Sequence, residues 1–145
     1  MTLAPVPIGD PRWLHAQALD AARIDYAWTA AQWERPHDCD RLFTAGPGAM
    51  ALLRINPWDH TAHLLKIAVA ANQEGTGTAR QLWGQIENWL RAESIQAVHL
   101  EVREDNRRAV RFYEALGFGR LRTVRGYYSD GADALLLLKA LNSSI

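Results

Sequence analysis

The amino-acid sequence predicts an α/β (α+β) protein in which a mixed sheet is covered on both faces by helices. Three observations lead to this class. Short apolar or alternating runs recur along the chain, helical patterns lie between them, and a glycine turn joins one apolar run directly to the longest helical pattern. With 145 residues, of which 48% are apolar, we expect one domain with a sizeable core.

Composition and charge argue against several classes of function. The formal net charge is zero, which argues against a nucleic-acid partner or an anionic membrane. Cys39 is the one cysteine, so no disulfide can form within the chain, in keeping with a reducing compartment. The sequence shows neither a secretory pattern nor an apolar run long enough to span a bilayer. We expect a cytoplasmic protein that is a monomer or a weak dimer.

The N-terminal part contains one weak strand signal and two helix starts. Residues 3–8 are apolar, but two prolines within them lack the amide hydrogens of a central strand, so this strand is predicted at a sheet edge. Asp10 followed by proline is a typical helix start, and we expect a helix of about two to three turns after it. A second short helix begins within residues 26–29, with Thr29 as its cap.

Most of the remaining chain alternates between predicted strands and helices. Six further runs are bounded by turn residues and predict strands: residues 41–44, 49–55, 60–69, 97–103, 118–125 and 134–140. Within residues 97–103 the alternation is strict, so Glu101 points away from the buried face. Asp105 or Asn106 caps a helix that runs to Leu116, and Gly117 closes it.

The glycine turn at residues 72–77 precedes a helix with a single apolar stripe. Gly75 and Gly77 allow a tight turn that exposes successive backbone amides. Together with the positive end of the helix dipole, these amides form an anion site. The turn lacks the lysine of a P-loop and the third glycine of a dinucleotide fingerprint. An ordinary strand-to-helix turn remains an equal alternative on this motif alone.

Further motifs follow the turn in a fixed order. They are Leu100-Glu101-Val102-Arg103 with Asn106, then Tyr113-Glu114-Ala115-Leu116-Gly117-Phe118, and the segment VRGYYSDGADALLL. With the glycine turn, this combination resembles the GNAT acetyltransferase superfamily, and most closely its bacterial ribosomal-protein alanine N-acetyltransferases. The resemblance covers nearly the whole chain. It implies the GNAT fold, a twisted and mostly antiparallel sheet of about six to seven strands with about four helices and a splayed central strand pair.

The resemblance also implies acetyl-CoA as the co-substrate, without a metal. The pyrophosphate would lie on the amides of the turn, and the pantetheine arm would run along the splayed strand as an added strand. The residues assigned to CoA in this way are Ile67, Ala68, Val69, Asn72, Gln73, Glu74, Gly75, Thr76, Gly77, Thr78 and Asn106.

Two residues of the turn depart from the family pattern. Asn72 stands where the family has glutamine or arginine, and Glu74 is acidic where the family is often basic or neutral. The turn is also about two residues shorter than in the alanine acetyltransferases. These departures predict weak CoA binding, with the hydroxyls of Thr76 and Thr78 and the side chain of Arg80 as compensation.

Acetyl transfer from a thioester to an amine needs a neutral amine, a donor to the carbonyl oxygen and a proton for the leaving thiolate. The resemblance puts the proton acceptor at Glu101; the alternative is a structural carboxylate paired with Arg103 or His99. Tyr113 is the candidate acid, because a phenol with a pKa of about 10 is protonated at neutral pH. The alternative for Tyr113 is a core aromatic.

The acceptor is the least defined part of this prediction. Trp28, Tyr127 and Tyr128 are expected to line its groove, with simple packing on the sheet as the alternative for the tyrosines. Amine pKa values favour a protein N-terminal α-amine, such as the N-terminal alanine of a ribosomal protein, attacking directly in a ternary complex. A small-molecule amine or a lysine side chain, and a CoA-binding module with little turnover, stay open as alternatives. None of the five histidines has metal-ligand spacing, so no metal is expected.

Overall fold

The computed structural model describes residues 3–23 and 28–141. Its elements in chain order are helices α1 (Arg12–Arg23) and α2 (Ala30–Glu34), strands β1 (Asp40–Thr44), β2 (Ala49–Asn56) and β3 (Thr61–Val69), a 3₁₀ turn (Ala71–Gln73), helix α3 (Thr78–Ala92), strand β4 (Ala97–Arg103), helix α4 (Arg107–Ala115), and strands β5 (Gly119–Val124) and β6 (Ala134–Ala140). Part of the predicted start of the second helix, residues 26 and 27, lies outside the described residues.

The six strands form one sheet in the order β1-β2-β3-β4-β6-β5. All neighbouring pairs are antiparallel except β3 and β4, which are parallel. Their ladder runs from the pair Thr61–Ala97 to the pair His63–His99, although both strands continue beyond it. Past that pair the two strands part, which confirms the predicted splayed central pair. We call the point where the ladder ends, at His63 and His99, the fork.

The predicted strand at residues 3–8 is wrong. The segment meets the sheet through the amide of Val6, which donates to the carbonyl oxygen of Leu42 at 2.7 Å. Proline precedes and follows Val6, and because neither proline has an amide hydrogen, the contact cannot grow into a ladder.

The predicted caps are confirmed. Asp10 accepts a hydrogen bond from the amide of Arg12 at 2.9 Å, and Thr29 forms a capping box with Gln32. For α4 the cap is Asn106 rather than Asp105, with its side-chain oxygen 3.1 Å from the amide of Ala109.

Helices cover both faces of the sheet, as predicted. Side chains of α3 and α4 pack on one face in an apolar cluster that includes Leu82, Trp83, Ile86 and Val110. Helices α1 and α2 pack on the other face. Among residues 3–23 and 28–141, no helix combines the length and apolar character needed to cross a membrane.

The face under α1 and α2 holds a buried ion pair that the sequence did not predict. Nζ of Lys66 on β3 lies 3.0 Å from Oδ1 of Asp20 on α1. The other oxygen of Asp20 accepts from the indole nitrogen of Trp33 at 3.0 Å and from the amide of Trp28 at 2.8 Å. Because a buried charge is tolerated only with such partners, the pair fixes α1 and α2 on the splayed end of β3.

Candidate active site

A cleft of about 720 Å³ opens beside the part of β3 that continues past its ladder with β4. The C-terminal end of β3, the glycine turn and the first turn of α3 form one side of it, and α4 forms the other. All residues predicted to bind CoA line the cleft except Asn72 and Thr76. Tyr113 lines it as well. The fold therefore brings one predicted catalytic residue and most of the predicted CoA residues to the same surface.

The glycine turn places the N-terminus of α3 at the edge of the cleft. Gly75 and Gly77 have φ of +74° and +85°, a conformation that favours glycine. Gly77 is the N-cap of α3 and has no side chain to cap the helix, and the nearest side-chain acceptor is the Thr76 hydroxyl, 3.4 Å from the Thr78 amide. The first amides of an α-helix have no partner within the helix, so this end can accept an anion.

The two threonines of the turn are engaged within it. The hydroxyl of Thr76 donates to the carbonyl oxygen of Gln73 at 2.6 Å, and the hydroxyl of Thr78 donates to the side-chain oxygen of Gln73 at 3.0 Å. The amide of Thr76 also donates to the Gln73 carbonyl, at 3.3 Å. These bonds stabilise the turn, so in this structure both hydroxyls are already engaged within it.

The carboxylate of Glu74 lies between two arginines. Its carboxylate pairs with Arg23 from the end of α1 and lies 3.8 Å from Nη2 of Arg108 at the start of α4. Arg23 also donates to the carbonyl oxygen of Val69 at 3.1 Å. With Arg80, these arginines give the cleft three basic side chains and one carboxylate. The unfavourable charge expected from Glu74 is thus balanced locally.

Glu101 lies at the fork and is held by a partner that the sequence did not indicate. Nε2 of His63 on β3 donates to Oε2 of Glu101 at 2.5 Å, and the His63 ring stacks on His99 with centroids 4.4 Å apart. Burial raises the pKa of Glu101, but the hydrogen bond from His63 and the charges of both imidazoles outweigh it, so the pKa lies below its ordinary value. Burial, with a further contribution from His63, lowers the pKa of His99.

The expected alternative partner of Glu101, Arg103, is occupied elsewhere. Its guanidinium lies 2.9 Å from both Asp105 and Asp130, and it sits 5.2 Å from the ring centroid of Tyr128. His63 could have been found from the sequence only with the β3–β4 register known, because 38 residues separate it from Glu101.

Tyr113 is both a packed aromatic and a residue of the cleft. Its ring packs against Phe112 and Phe118, with centroids 5.4 and 6.0 Å away. Burial, with a contribution from Tyr128, raises the pKa of Tyr113 to about 12. The phenol is therefore protonated at neutral pH and can act as a donor in the cleft.

The three predicted acceptor residues fall into two places. Tyr127 is 50% exposed. Burial and the charge of Glu101 raise its pKa, so Tyr127 lies on the same side of the site as Glu101. Its ring centroid is 5.0 Å from that of Tyr128. Trp28 instead packs against Trp33 at 5.1 Å, with Nζ of Lys66 at 5.4 Å from its ring. Trp28 thus sits at the edge of the core under α1 and α2.

The fold also assembles a group of possible metal ligands. One ligand atom from each of His63, His99 and Glu101 lies within 4.8 Å of the others. The sequence analysis considered the spacing of histidines along the chain only, and that spacing cannot reveal histidines on neighbouring strands.

Comparison with known proteins identifies relatives of this chain. Residues 12–118 match the model of the acetyltransferase (GNAT) family. The chain is 34% identical over 88 residues to an N-alpha-acetyltransferase of Mycobacterium tuberculosis, covering 60% of this chain and 52% of that protein. It is 32% identical over 82 residues to a ribosomal protein bS18-alanine N-acetyltransferase of Haemophilus ducreyi, covering 55% of this chain and 57% of that protein. The chain thus spans about half the length of these curated relatives.

A solved structure shows the same fold over almost the whole length. The crystal structure of the ribosomal-protein-S18-alanine N-acetyltransferase of Escherichia coli superposes with a TM-score of 0.84. The match covers 99% of this chain and 96% of that chain at 23% sequence identity. At this identity the likeness establishes the fold, which is the predicted GNAT fold with its mostly antiparallel sheet.

Proposed function

This chain belongs to the GNAT acetyltransferase family, and we propose that it transfers the acetyl group of acetyl-CoA to the N-terminal α-amine of a protein. The observation that carries the proposal is the cleft between the end of β3 and α4, together with the fork farther back on β3. A helix N-terminus with glycine as its N-cap opens into the cleft, a phenol lines it, and a carboxylate–imidazole pair lies at the fork. Such a site has a place for an anion and groups for proton transfer to and from a thioester and an amine.

The residues of the cleft fit acetyl-CoA. The amides at the start of α3 and the side chains of Arg23, Arg80 and Arg108 would hold the phosphates. Residues Ile67, Ala68 and Val69 pair with β2 on one edge and run past the end of the β4 ladder on the other, so they can pair with an extended pantetheine arm. When bound, the thioester supplies the acetyl group.

Glu101 would accept the proton of the attacking amine. Because the pKa of Glu101 lies below its ordinary value, the carboxylate is ionised at neutral pH. The hydrogen bond from His63 holds the carboxylate in position at the fork. As the new bond to nitrogen forms and the bond to sulfur breaks, the Tyr113 phenol would donate its proton to the thiolate and regain one from solvent.

The charge state of amines favours an α-amine as the acceptor. An α-amine has a pKa of about 8, so about one in ten molecules is neutral at pH 7, whereas a lysine side chain has a pKa of about 10.4. Neutralising lysine at pH 7 costs about 3.3 kcal/mol more. A carboxylate whose pKa is lowered is a weak base, and it suits an acceptor that is already partly neutral.

The names of the relatives support the same acceptor class. Both curated relatives are named for transfer to an α-amine, and one of them for the alanine of ribosomal protein bS18. We therefore extend the proposal to a protein N-terminus, with an N-terminal alanine of a ribosomal protein as the first acceptor to test. The proposal includes a cytoplasmic location and a monomer or weak dimer that binds neither nucleic acid nor membranes.

The test is release of CoA thiol from acetyl-CoA with three acceptors in parallel. These are a basic peptide with a free N-terminal alanine, the same peptide with a blocked N-terminus and an internal lysine, and a polyamine. We expect release with the first peptide only, and mass spectrometry should locate the acetyl group on its α-amine. Release with lysine or polyamine alone would favour the small-amine alternative. CoA binding without release for any acceptor would favour the binding module.

A further inference from the structure

We infer that His63, His99 and Glu101 form a binding site for a transition-metal cation of the Zn²⁺ class, and that the bound cation blocks Glu101. The first half of this inference is independent of the proposed function. The second half, loss of acetyl transfer on metal binding, rests on it. The site would make the acetyltransferase sensitive to free zinc.

Two strands fix the positions of the three ligands. His99 and Glu101 are two residues apart on β4 and therefore project from the same face of the sheet. His63 is directly opposite His99 in the parallel ladder of β3 and β4. Neighbouring strands lie about 4.8 Å apart, so all three side chains start from backbone positions within reach of one ion. Ligands held on strands lose little freedom when they bind.

The distances are close to those that a metal needs. Zinc binds imidazole nitrogen and carboxylate oxygen at about 2.0–2.2 Å, so two ligands at a tetrahedral angle lie about 3.4 Å apart. The ligand atoms here range from 2.5 Å, between His63 and Glu101, to within 4.8 Å for the whole group. Each separation must change by about 1 Å, which small rotations of the side chains can supply.

The donor set also points to zinc rather than to magnesium or calcium. Two imidazoles and one carboxylate are a known set of protein ligands for zinc, and they leave the fourth position open. Magnesium and calcium prefer oxygen ligands alone. All three side chains are half-buried. A cation can therefore reach them from solvent, while the surrounding structure still holds the three ligands close together.

The surrounding charges allow a cation at this position. Glu101 provides one negative charge, and Asp59 acts electrostatically on His99 from the β2–β3 turn. Arg103 is the next residue on the same face of β4, but its guanidinium contacts both Asp105 and Asp130. Its charge is thereby balanced by two carboxylates and opposes a metal only weakly.

Metal binding and catalysis would use the same atoms. Coordination by Glu101 replaces its hydrogen bond with His63, and it ties up the lone pairs that would otherwise take the proton of the amine. We therefore expect zinc to inhibit acetyl transfer in competition with the amine acceptor rather than with acetyl-CoA.

The binding test uses the tag-free chain without acetyl-CoA or acceptor, titrated with zinc against a chromophoric chelator. We expect one zinc per chain, at least tenfold weaker binding in His99→Ala and Glu101→Gln, and no change in His15→Ala, an exposed histidine on α1. Cobalt titration should give the intense visible bands of a four-coordinate ion in the parent chain and in His15→Ala, but not in His99→Ala or Glu101→Gln. Circular dichroism checks that the variants are folded. Equal zinc affinity of the parent and His99→Ala would overturn the site.

The inhibition test compares rates with and without zinc, each variant normalised to its own zinc-free rate. The parent should lose most of its activity at saturating zinc, and His99→Ala should keep most of its own. Zinc binding without inhibition would overturn the link to Glu101 while leaving the site. Absence of acetyl transfer in zinc-free protein would instead count against the proposed function, and the binding titration would still decide the site.

Discussion

The anion end of the cleft and the fork are built in opposite ways. The anion end, at the glycine turn and the start of α3, is one continuous and largely exposed stretch whose polar groups are backbone amides with arginines around them. The fork is assembled from two strands, is half-buried, and depends on one contact between residues 38 positions apart. At the anion end, several amides and arginines can contribute to binding the same anion. At the fork, each side chain has a separate role.

This difference predicts how each end responds to substitution. An exposed ion pair contributes little and is screened by salt, so the loss of one charge at the anion end is small. The proposed proton acceptor, Glu101, is a single side chain, so the loss expected from its substitution is large. Four experiments test this contrast.

The largest effect is expected from Glu101→Gln. Glutamine keeps the shape of the side chain but cannot accept the proton of the amine, so acetyl transfer should fall by about 10²–10⁴-fold. Glu104→Gln, a neighbouring exposed carboxylate, is the matched control and should stay near the parent rate. The comparison is made on kcat for an N-terminal alanine peptide. A loss of less than threefold in Glu101→Gln would assign the carboxylate a structural role.

The second prediction concerns pH. The pKa of Glu101 lies below its ordinary value and that of Tyr113 is about 12, so neither group changes its charge between pH 6 and 9. The rate should therefore rise with pH as the acceptor amine loses its proton, levelling near its pKa of about 8. A lysine acceptor should move this rise up by about 2.4 pH units, which lowers its rate at pH 7 about 200-fold. Profiles of kcat/KM that coincide for both acceptors would mean that a group of the enzyme titrates instead.

Tyr113→Phe should have an effect of about 10²-fold on kcat, with little change in KM for acetyl-CoA. The ring keeps its contacts with Phe112 and Phe118, so the melting temperature should stay within a few degrees of the parent. Thermal unfolding and steady-state kinetics of the same preparation separate the two effects. If kcat does not change, the thiolate leaves without help from this phenol.

The same contrast explains which parts of the site could be predicted from the sequence. The anion end is local: Gly75, Gly77 and the apolar stripe of α3 all lie within one stretch, so backbone conformation and helix period predict it. The strict alternation around Glu101 predicts its face for the same reason. Local patterns also failed where local chemistry opposed them, since prolines on both sides of Val6 prevent a strand that its apolar neighbours suggest.

The fork could not be predicted in this way. His63 meets His99 and Glu101 only because β3 and β4 pair in one register, and register depends on the packing of the whole sheet. The ion pair of Asp20 with Lys66 has the same origin, since α1 must dock on β3 before the two charges meet. The partners of Glu74 were missed too, because Arg23 and Arg108 come from the ends of two distant helices.

The smallest effect is expected at the anion end, from Glu74→Gln. This change removes the carboxylate that contacts Arg23 and Arg108, and both guanidinium groups then become available to phosphates. CoA should bind about three- to tenfold more tightly at low salt, and the gain should shrink at high salt because these groups are exposed.

Glu93→Gln, at the opposite end of α3, is the control and should leave CoA affinity unchanged. Calorimetric titration with CoA at two salt concentrations measures both effects. Weaker binding in Glu74→Gln would mean that the carboxylate orients the arginines, and the anion end would then depend on single contacts as the fork does.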